Sequence, residues 1–335
     1  MHPFTFVRAP DTDGAVSAAS AGDAAFVAGG TNLVDLMRLG VMQPRRIVDV
    51  NGLPLADVED AGGGIRIGAL AKHTDVAYHA LVRERFPLVA DALLAGASPQ
   101  LRNMASIGGN LLQRTRCPYF RDPGTPACNK RVPGSGCAAQ AGYQRSHAVL
   151  GTSEHCIATH PSDLCVALAA LDAIVHTRGP NGARAIAFGE LHTLPADHPE
   201  REHVLAPGEL VTHVELPAAS ARFAKASRYV KVRDRASFAF ALASAAVALV
   251  MDGSVIKDAR IALGGVATKP WRSHDAEQIL VGHAADPALF ARAANVALQP
   301  AHARNGNAFK VPLAQRTITR ALILATGSSG SGGAP

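Results

Sequence analysis

Apolar positions in the first fifty residues come in short blocks separated by small and polar ones. Ala25–Ala28 (AFVA) is short enough for a buried strand, Gly29 and Gly30 follow as a tight turn, and Thr31 or Asn32 can cap a helix. Leu33, Leu36 and Met37 share one face of that helix, Gly40 and Pro44 end it, and Arg46–Val50 reads as the returning strand. Further on, PSDLCVALAALDAIV predicts a second helix, with Pro161, Ser162 and Asp163 in its cap region and Leu164, Leu168 and Leu171 near one face. ELVTHVEL (209–216) reads as an apolar strand, and Pro217–Ser220 after it marks a domain boundary. The longest uncharged run, Ala236–Met251, falls short of the roughly 20 residues that span a bilayer. Its many alanines, with Ser237 and Ser244, predict a buried helix instead.

Composition narrows the class. A chain of 335 residues makes two to three small domains, and 48% hydrophobic with 18% charged residues excludes disorder. The net charge of +6 does not by itself imply a nucleic-acid binder, and 5% aromatics are too few for base-stacking platforms. The start, MHPFTFVRAPDTDG, lacks the basic and apolar regions of a signal peptide. The end, TGSSGSGGAP, is low-complexity sequence expected to be a flexible tail (327–335).

The five cysteines are unevenly placed: Cys117, Cys128, Cys137, Cys156 and Cys165. Cys165 falls on the apolar face of the second helix and reads as a small core residue. The other four lie in a stretch from Arg114 to Ser153 that is broken by Pro118, Pro123, Pro126 and Pro133 and by five glycines. A structureless loop of that length needs something to organise it, and four thiolates on one metal centre would do so. Ten, eight and eighteen residues separate the four, without a close CxxC pair. That spacing favours an iron–sulfur cluster and leaves zinc and unliganded thiols open. Between Arg114 and His147 stand Arg114, Arg116, Arg121, Lys130, Arg131 and Arg145 against the single acid Asp122. A positive surround of that kind would ease burial of a negatively charged cluster, or serve as a solvated basic loop.

The turn at Gly29–Gly30 opens a helix whose first N–H groups suit phosphate, but GxGxxG spacing and a Walker lysine are both missing. A second stretch, RNMASIGGNLLQRTR (102–116), puts Ser106, Gly108, Gly109 and Asn110 in one turn, either at a strand end or against a ligand. VAGGTNLVDLM and SIGGNLLQ together resemble the FAD-binding subunit of the molybdenum hydroxylases, the xanthine dehydrogenase and aldehyde oxidoreductase group. The insertion TRCPYFRDPGTPACNKRVPGSGCAA, continuing to EHCIATHPSDL, resembles the form with an extra 4Fe–4S cluster in bacterial three-subunit periplasmic aldehyde oxidoreductases. The resemblance runs on through RYVKVRDRASFAFALASAAVAL and ALGGVATKPWR.

That resemblance implies an α+β fold. A two-lobed PCMH-type FAD-binding domain would cover 1–219, with lobes of about 1–55 and 56–219 and the cysteine insertion at about 114–158. A CO-dehydrogenase-flavoprotein-like α+β domain, a three-stranded sheet with a helical bundle, would cover 220–326. Phe26, Val27, Ala28, Gly29, Gly30, Thr31, Asn32, Leu33 and Val34 would wrap the FAD pyrophosphate, and Ser106, Gly108, Gly109 and Asn110 would contact the same cofactor. Asp163 matches an acid that binds the flavin's sugar-alcohol chain, or serves as the helix cap; Lys231 matches a lysine near the flavin, or is an ordinary strand lysine. Cys117, Cys128, Cys137 and Cys156 match the cluster ligands, and Cys165 falls outside them.

The implied activity is electron transfer with no catalytic residue in this chain. A large molybdenum-cofactor subunit would oxidise aldehyde to carboxylic acid, and a small 2Fe–2S subunit would pass electrons to FAD here and on to an external acceptor. The expected assembly is a heterotrimer without nucleic acid or a membrane span, carried to the periplasm with a signal-bearing partner or else cytoplasmic. Two other readings stay open: a self-contained flavin oxidase, for which the scattered histidines offer no clear base, and a metal-stabilised basic binding module.

Overall fold

The computed structural model describes residues 1–20 and 22–327. The tail expected at 327–335 lies outside the described residues from 328 onward.

The first lobe runs β1 (Thr5–Arg8), α1 (Thr12–Ser20), β2 (Ala24–Val27), α2 (Leu33–Arg38) and β3 (Arg46–Asp49). Its parallel sheet has the order β1-β3-β2, with Phe6 and Phe26 flanking Ile47 and Val48 of the central strand. β2 is an edge strand, so its four residues are half-buried rather than buried as the apolar run suggests. Ala15, Val16 and Ala19 of α1 pack on Val48, Val50 and Leu53.

The second lobe opens with β4 (Val58–Ala61) and β5 (Gly64–Gly68), then short helices α3 (His73–Tyr78), α4 (Ala80–Arg85), α5 (Pro87–Ala95), α6 (Pro99–Arg102), α7 (Ile107–Leu111) and α8 (Pro118–Arg121). It closes with α9 (Asp163–Ala170), β6 (Ile174–Gly179), β7 (Gly182–Ala187), α10 (Phe188–Leu191) and β8 (Leu210–Leu216). The five strands form an antiparallel sheet in the order β4-β5-β8-β6-β7, and α3, α5 and α9 share its core with Ile65, Ile67 and Val214. Ser162 caps α9 by accepting from Cys165 N–H at 3.0 Å, where the chain pattern put the helix start. The SIGGN stretch forms a helical turn rather than a strand end, because Ser106 accepts from Gly109 N–H at 3.3 Å and starts α7.

The C-terminal unit comprises β9 (Ala226–Val232), β10 (Ala243–Asp252), β11 (Val255–Gly264), β12 (Trp271–Arg272), α11 (His274–Leu280), α12 (Pro287–Ala297) and α13 (Lys310–Ala325). Its sheet is four-stranded, β12-β11-β10-β9, since the two-residue β12 adds to the three strands expected. The helix expected over Ala236–Met251 is corrected to strand β10 preceded by a loop. β10 lies between β9 and β11, with Ala246 and Ala248 facing the core of the second lobe and Ala243, Ala245, Val247 and Leu249 facing α11–α13. A strand covered on both faces shows no polar alternation, so its alanines look helical in sequence. Among the described residues no helix is long and apolar enough to cross a membrane.

Candidate functional site

The two glycine stretches meet. Gly30 adopts φ +72°, a left-handed conformation that glycine takes without strain and that lets the chain turn from β2 into α2. Gly29 lies so close to the second stretch that a Cβ there would stand 1.9 Å from Met104 O. Asn32 at the start of α2 accepts from Arg114 N–H at 3.1 Å, tying the first turn to the far end of the second. Its Nδ2 is buried and has no hydrogen-bond partner, an orphan donor beside the glycines. Gly108 packs on Ala69, where a Cβ would meet Ala69 Cβ at 3.0 Å, and its N–H donates to Ala69 O at 2.8 Å. The orphaned amide and the close backbone approaches fit an anionic group such as the pyrophosphate of FAD.

Asp163 and Lys231 extend this line. Ser162 contacts Asn110 Oδ1, joining α7 to the start of α9. The Asp163 carboxylate does not cap its helix; Tyr229 Oη donates to it at 2.6 Å and Lys231 Nζ at 2.8 Å. Lys231 also donates to Ala95 O at 3.1 Å. With side chains 3% and 9% exposed, Lys231 and Asp163 are a buried ion pair, so Lys231 is no ordinary exposed strand lysine. Tyr229 went unnoticed in the sequence, although it is two residues before Lys231 on β9 and therefore on the same face.

The insertion folds around its cysteines. Cys117, Cys128, Cys137 and Cys156 all line one enclosed cavity together with Phe120 and Lys130. A backbone β-bridge pairs Cys128 with Cys137, whose thiols are free, and Cys117, Cys128 and Cys156 share an apolar cluster with Phe120, Ala158 and Leu36 of α2. Burial pushes the Cys117 thiol up to about 12 and raises Cys137 and Cys156, so thiolates here need a cation. Backbone N–H groups face the sulfurs: Phe120 and Tyr119 favour the Cys117 thiolate, and Ala139, Gln140 and Ile157 that of Cys137. His147 Nε2 stands 3.2 Å from Cys117 Sγ. Among the described residues, no three of these sulfurs draw within 4.8 Å of one another. Cys165 lies outside the cavity, fully buried in the core of the second lobe, with His160 and His192 beside it.

Five of the six basic residues of the insertion share three acids from outside it. Arg116 and Arg121 each reach Asp35 of α2 at 2.9 Å. Arg114 and Lys130 share Glu202, which their charges hold below its usual range against the opposing effect of burial. Arg145 pairs with Asp234 at 2.7 Å, and Arg131 donates to Tyr119 O, Phe120 O, Asp122 O and Thr125 O. The expected positive surround is thus reduced but not removed: six bases against Asp122, Asp35, Glu202 and Asp234 leave a net +2, and the three added acids come from distant parts of the chain. α2 thus serves both regions: its first turn holds the glycines while Asp35 and Leu36 contact the cysteine loop.

Comparison with known proteins places the chain in a family. Residues 2–219 match the family described as FAD binding domain in molybdopterin dehydrogenase, and residues 228–325 match the CO dehydrogenase flavoprotein C-terminal domain. The chain is 49% identical to the aldehyde oxidoreductase FAD-binding subunit PaoB of Escherichia coli, over 96% of this chain and 98% of that protein. It is 28% identical to the glyceraldehyde dehydrogenase medium chain of Sulfolobus acidocaldarius, over 84% of this chain and 83% of that one. Among solved structures, CO dehydrogenase from Oligotropha carboxidovorans has the same fold, with a TM-score of 0.76 at 22% identity over 98% of this chain and all of that one.

Proposed function

The chain belongs to the FAD-binding subunits of the molybdopterin dehydrogenases, and on that premise we propose that it is the electron-transfer subunit of a molybdenum-dependent aldehyde oxidoreductase. It takes electrons released when a partner oxidises aldehyde to carboxylic acid and passes them to an external acceptor. The near-full-length likeness to an aldehyde oxidoreductase FAD-binding subunit carries this reading.

FAD, when bound, supplies the redox chemistry. The chain supplies its seat. Gly29 lets the first turn close against the Met104 backbone and Gly30 turns the chain into α2, and Asn32 Nδ2 beside them is a free donor for the pyrophosphate. Phe26, Val27 and Ala28 bring the chain into that turn, and Thr31, Leu33 and Val34 continue it into α2. Ser106, Gly108, Gly109 and Asn110 form the facing wall. Asp163 offers its carboxylate to the sugar-alcohol chain while Lys231 and Tyr229 hold it in place.

Cys117, Cys128, Cys137 and Cys156 would hold a 4Fe–4S cluster in the cavity that they line. His147 would donate from Nε2 to the Cys117 sulfur, since a thiolate bound to iron only accepts. The partners in this reading are a large molybdenum subunit and a small 2Fe–2S subunit in a heterotrimer. A periplasmic location follows if a partner brings the export signal; the alternative is the cytoplasm.

The test is reconstitution. The isolated chain should carry FAD that dithionite reduces and aldehydes do not, and adding both partners should restore aldehyde-dependent bleaching of the flavin. Aldehyde oxidation by the single chain at a comparable rate would make it a self-contained oxidase instead.

A further inference from the structure

Away from the flavin seat, β8 carries His213 and Glu215 two residues apart, so both side chains leave the same face of the sheet. β6 sets His176 directly opposite His213. One nitrogen of each imidazole and one Glu215 oxygen lie within 4.8 Å of one another. The rings are stacked, with centroids 4.1 Å apart and planes at 14°, and His176 Nε2 is 3.1 Å from Glu215 Oε2.

Thr212 decides the state of the second imidazole. Its hydroxyl donates to His176 O at 3.1 Å, so its oxygen is left to accept from Nδ1–H of His213, also at 3.1 Å. Nε2 of His213 then carries a bare lone pair, and that atom is buried without a hydrogen-bond partner. A cross-strand His–Glu pair formed only for stability would not need this third, orphaned nitrogen beside it. Fixing one ring nitrogen through a hydrogen bond so that the other faces outward is how proteins orient imidazole ligands.

We propose that His176, His213 and Glu215 bind a divalent transition-metal ion of the zinc type, with an open position toward the adjoining groove. Two imidazoles and one carboxylate suit such an ion, with the rest of the shell left to water or an exchangeable ligand. The groove holds about 590 Å³ and is lined by His176, His213 and Thr212, with Asp11 and Asp13 of the first lobe also on its wall. Its cations are already engaged: Arg178 pairs with Asp13 at 2.8 Å and Arg184 with Glu209 at 2.7 Å. Arg66, 4.0 Å from Glu215 and 47% exposed, can swing into water when an ion takes the carboxylate. Zinc–nitrogen bonds of about 2.0–2.1 Å require the parallel rings to tilt toward each other, a side-chain rotation that leaves the strands in place.

The site is independent of the flavin and of the four-cysteine cavity, and its test keeps the two apart. The full chain, as purified with its flavin and iron, is dialysed against buffered Zn²⁺ and its bound zinc, iron and flavin are measured. Wild type should hold one zinc more than His213→Ala, His176→Ala or Glu215→Gln, with flavin and iron equal in all four. Thr212→Val should keep the site but weaken its zinc affinity at least tenfold, because His213 loses its orientation. If His213→Ala loses flavin and so reports misfolding, the isosteric Glu215→Gln, at a side chain 28% exposed, carries the comparison. Equal zinc in wild type and Glu215→Gln would overturn the proposal.

Discussion

Replacing Gly29 with alanine should loosen the flavin seat more than any other single methyl group. The added Cβ would stand 1.9 Å from Met104 O and 2.6 Å from Met104 C, both backbone atoms. Ordinary contact is about 3.4 Å, so the two glycine stretches must part by more than an ångström, and overpacking of that kind costs about 1–3 kcal/mol. Met104 O also accepts from Lys72 Nζ at 3.3 Å, and Ser106, two residues on, caps α7, so the strain spreads into the facing wall. If the strain falls on the bound geometry, FAD affinity drops about 5- to 150-fold, at 1.4 kcal/mol per tenfold. Titration of deflavinated chain with FAD, followed by flavin fluorescence, measures it. Gly30→Ala is the graded comparison, since its cost is the left-handed φ of +72°, about 1–2 kcal/mol, plus a milder 3.0 Å approach to Val34 Cγ2. Gly52→Ala, with open space around it, is the silent control. A Gly29→Ala chain that binds FAD within twofold of wild type would refute the argument that this backbone contact shapes the seat.

Three other outcomes are expected. Cys117→Ser, Cys128→Ser, Cys137→Ser and Cys156→Ser should each lower iron content while Cys165→Ser leaves it intact; iron analysis showing the reverse would remove the cluster from this cavity. Asp35→Ala leaves Arg116 and Arg121 unpaired, and because these pairs are partly exposed the cost is about 1 kcal/mol; flavin and iron should then both dissociate faster, and loss of one alone would mean that α2 does not couple them. Lys310, fully buried against His147 O and Gly265 O, is pushed by burial and the Arg145 charge down to about 7. The unfolded chain binds its proton up to about pH 10, so wild type should gain up to about 1.4 kcal/mol per pH unit over Lys310→Met as pH rises through that window, read as denaturant midpoints. A pH-independent difference would show that Lys310 keeps its ordinary affinity for protons.

What could be read in the sequence was local. A turn at Gly29–Gly30 and a cap at Ser162 depend on residues within a few positions of each other, and the structure forms both. The four cysteines could be grouped because the chain between them offered no regular element, and they do line one cavity. Partners from far along the chain could not be read. Asp35, Glu202 and Asp234 reach the insertion from 81, 88 and 89 residues away, so counting charge within the loop overstated its field. β10 misled for a similar reason: both its faces are covered by elements that the local pattern does not contain. The Tyr229–Asp163–Lys231 group spans two folding units, and each member alone looks ordinary.

Leu36 sits in the apolar cluster with three cysteines while its helix begins at the glycine turn, so if the cysteines hold iron as proposed, loading of iron and of flavin would depend on each other. A cysteine loop that has not closed leaves the back of α2 without support, and the turn ahead of it without a fixed wall. Newly made chains lacking iron would therefore hold flavin poorly and expose both regions to proteases together. The same helix would then let oxidation at the thiols release flavin before the rest of the chain unfolds.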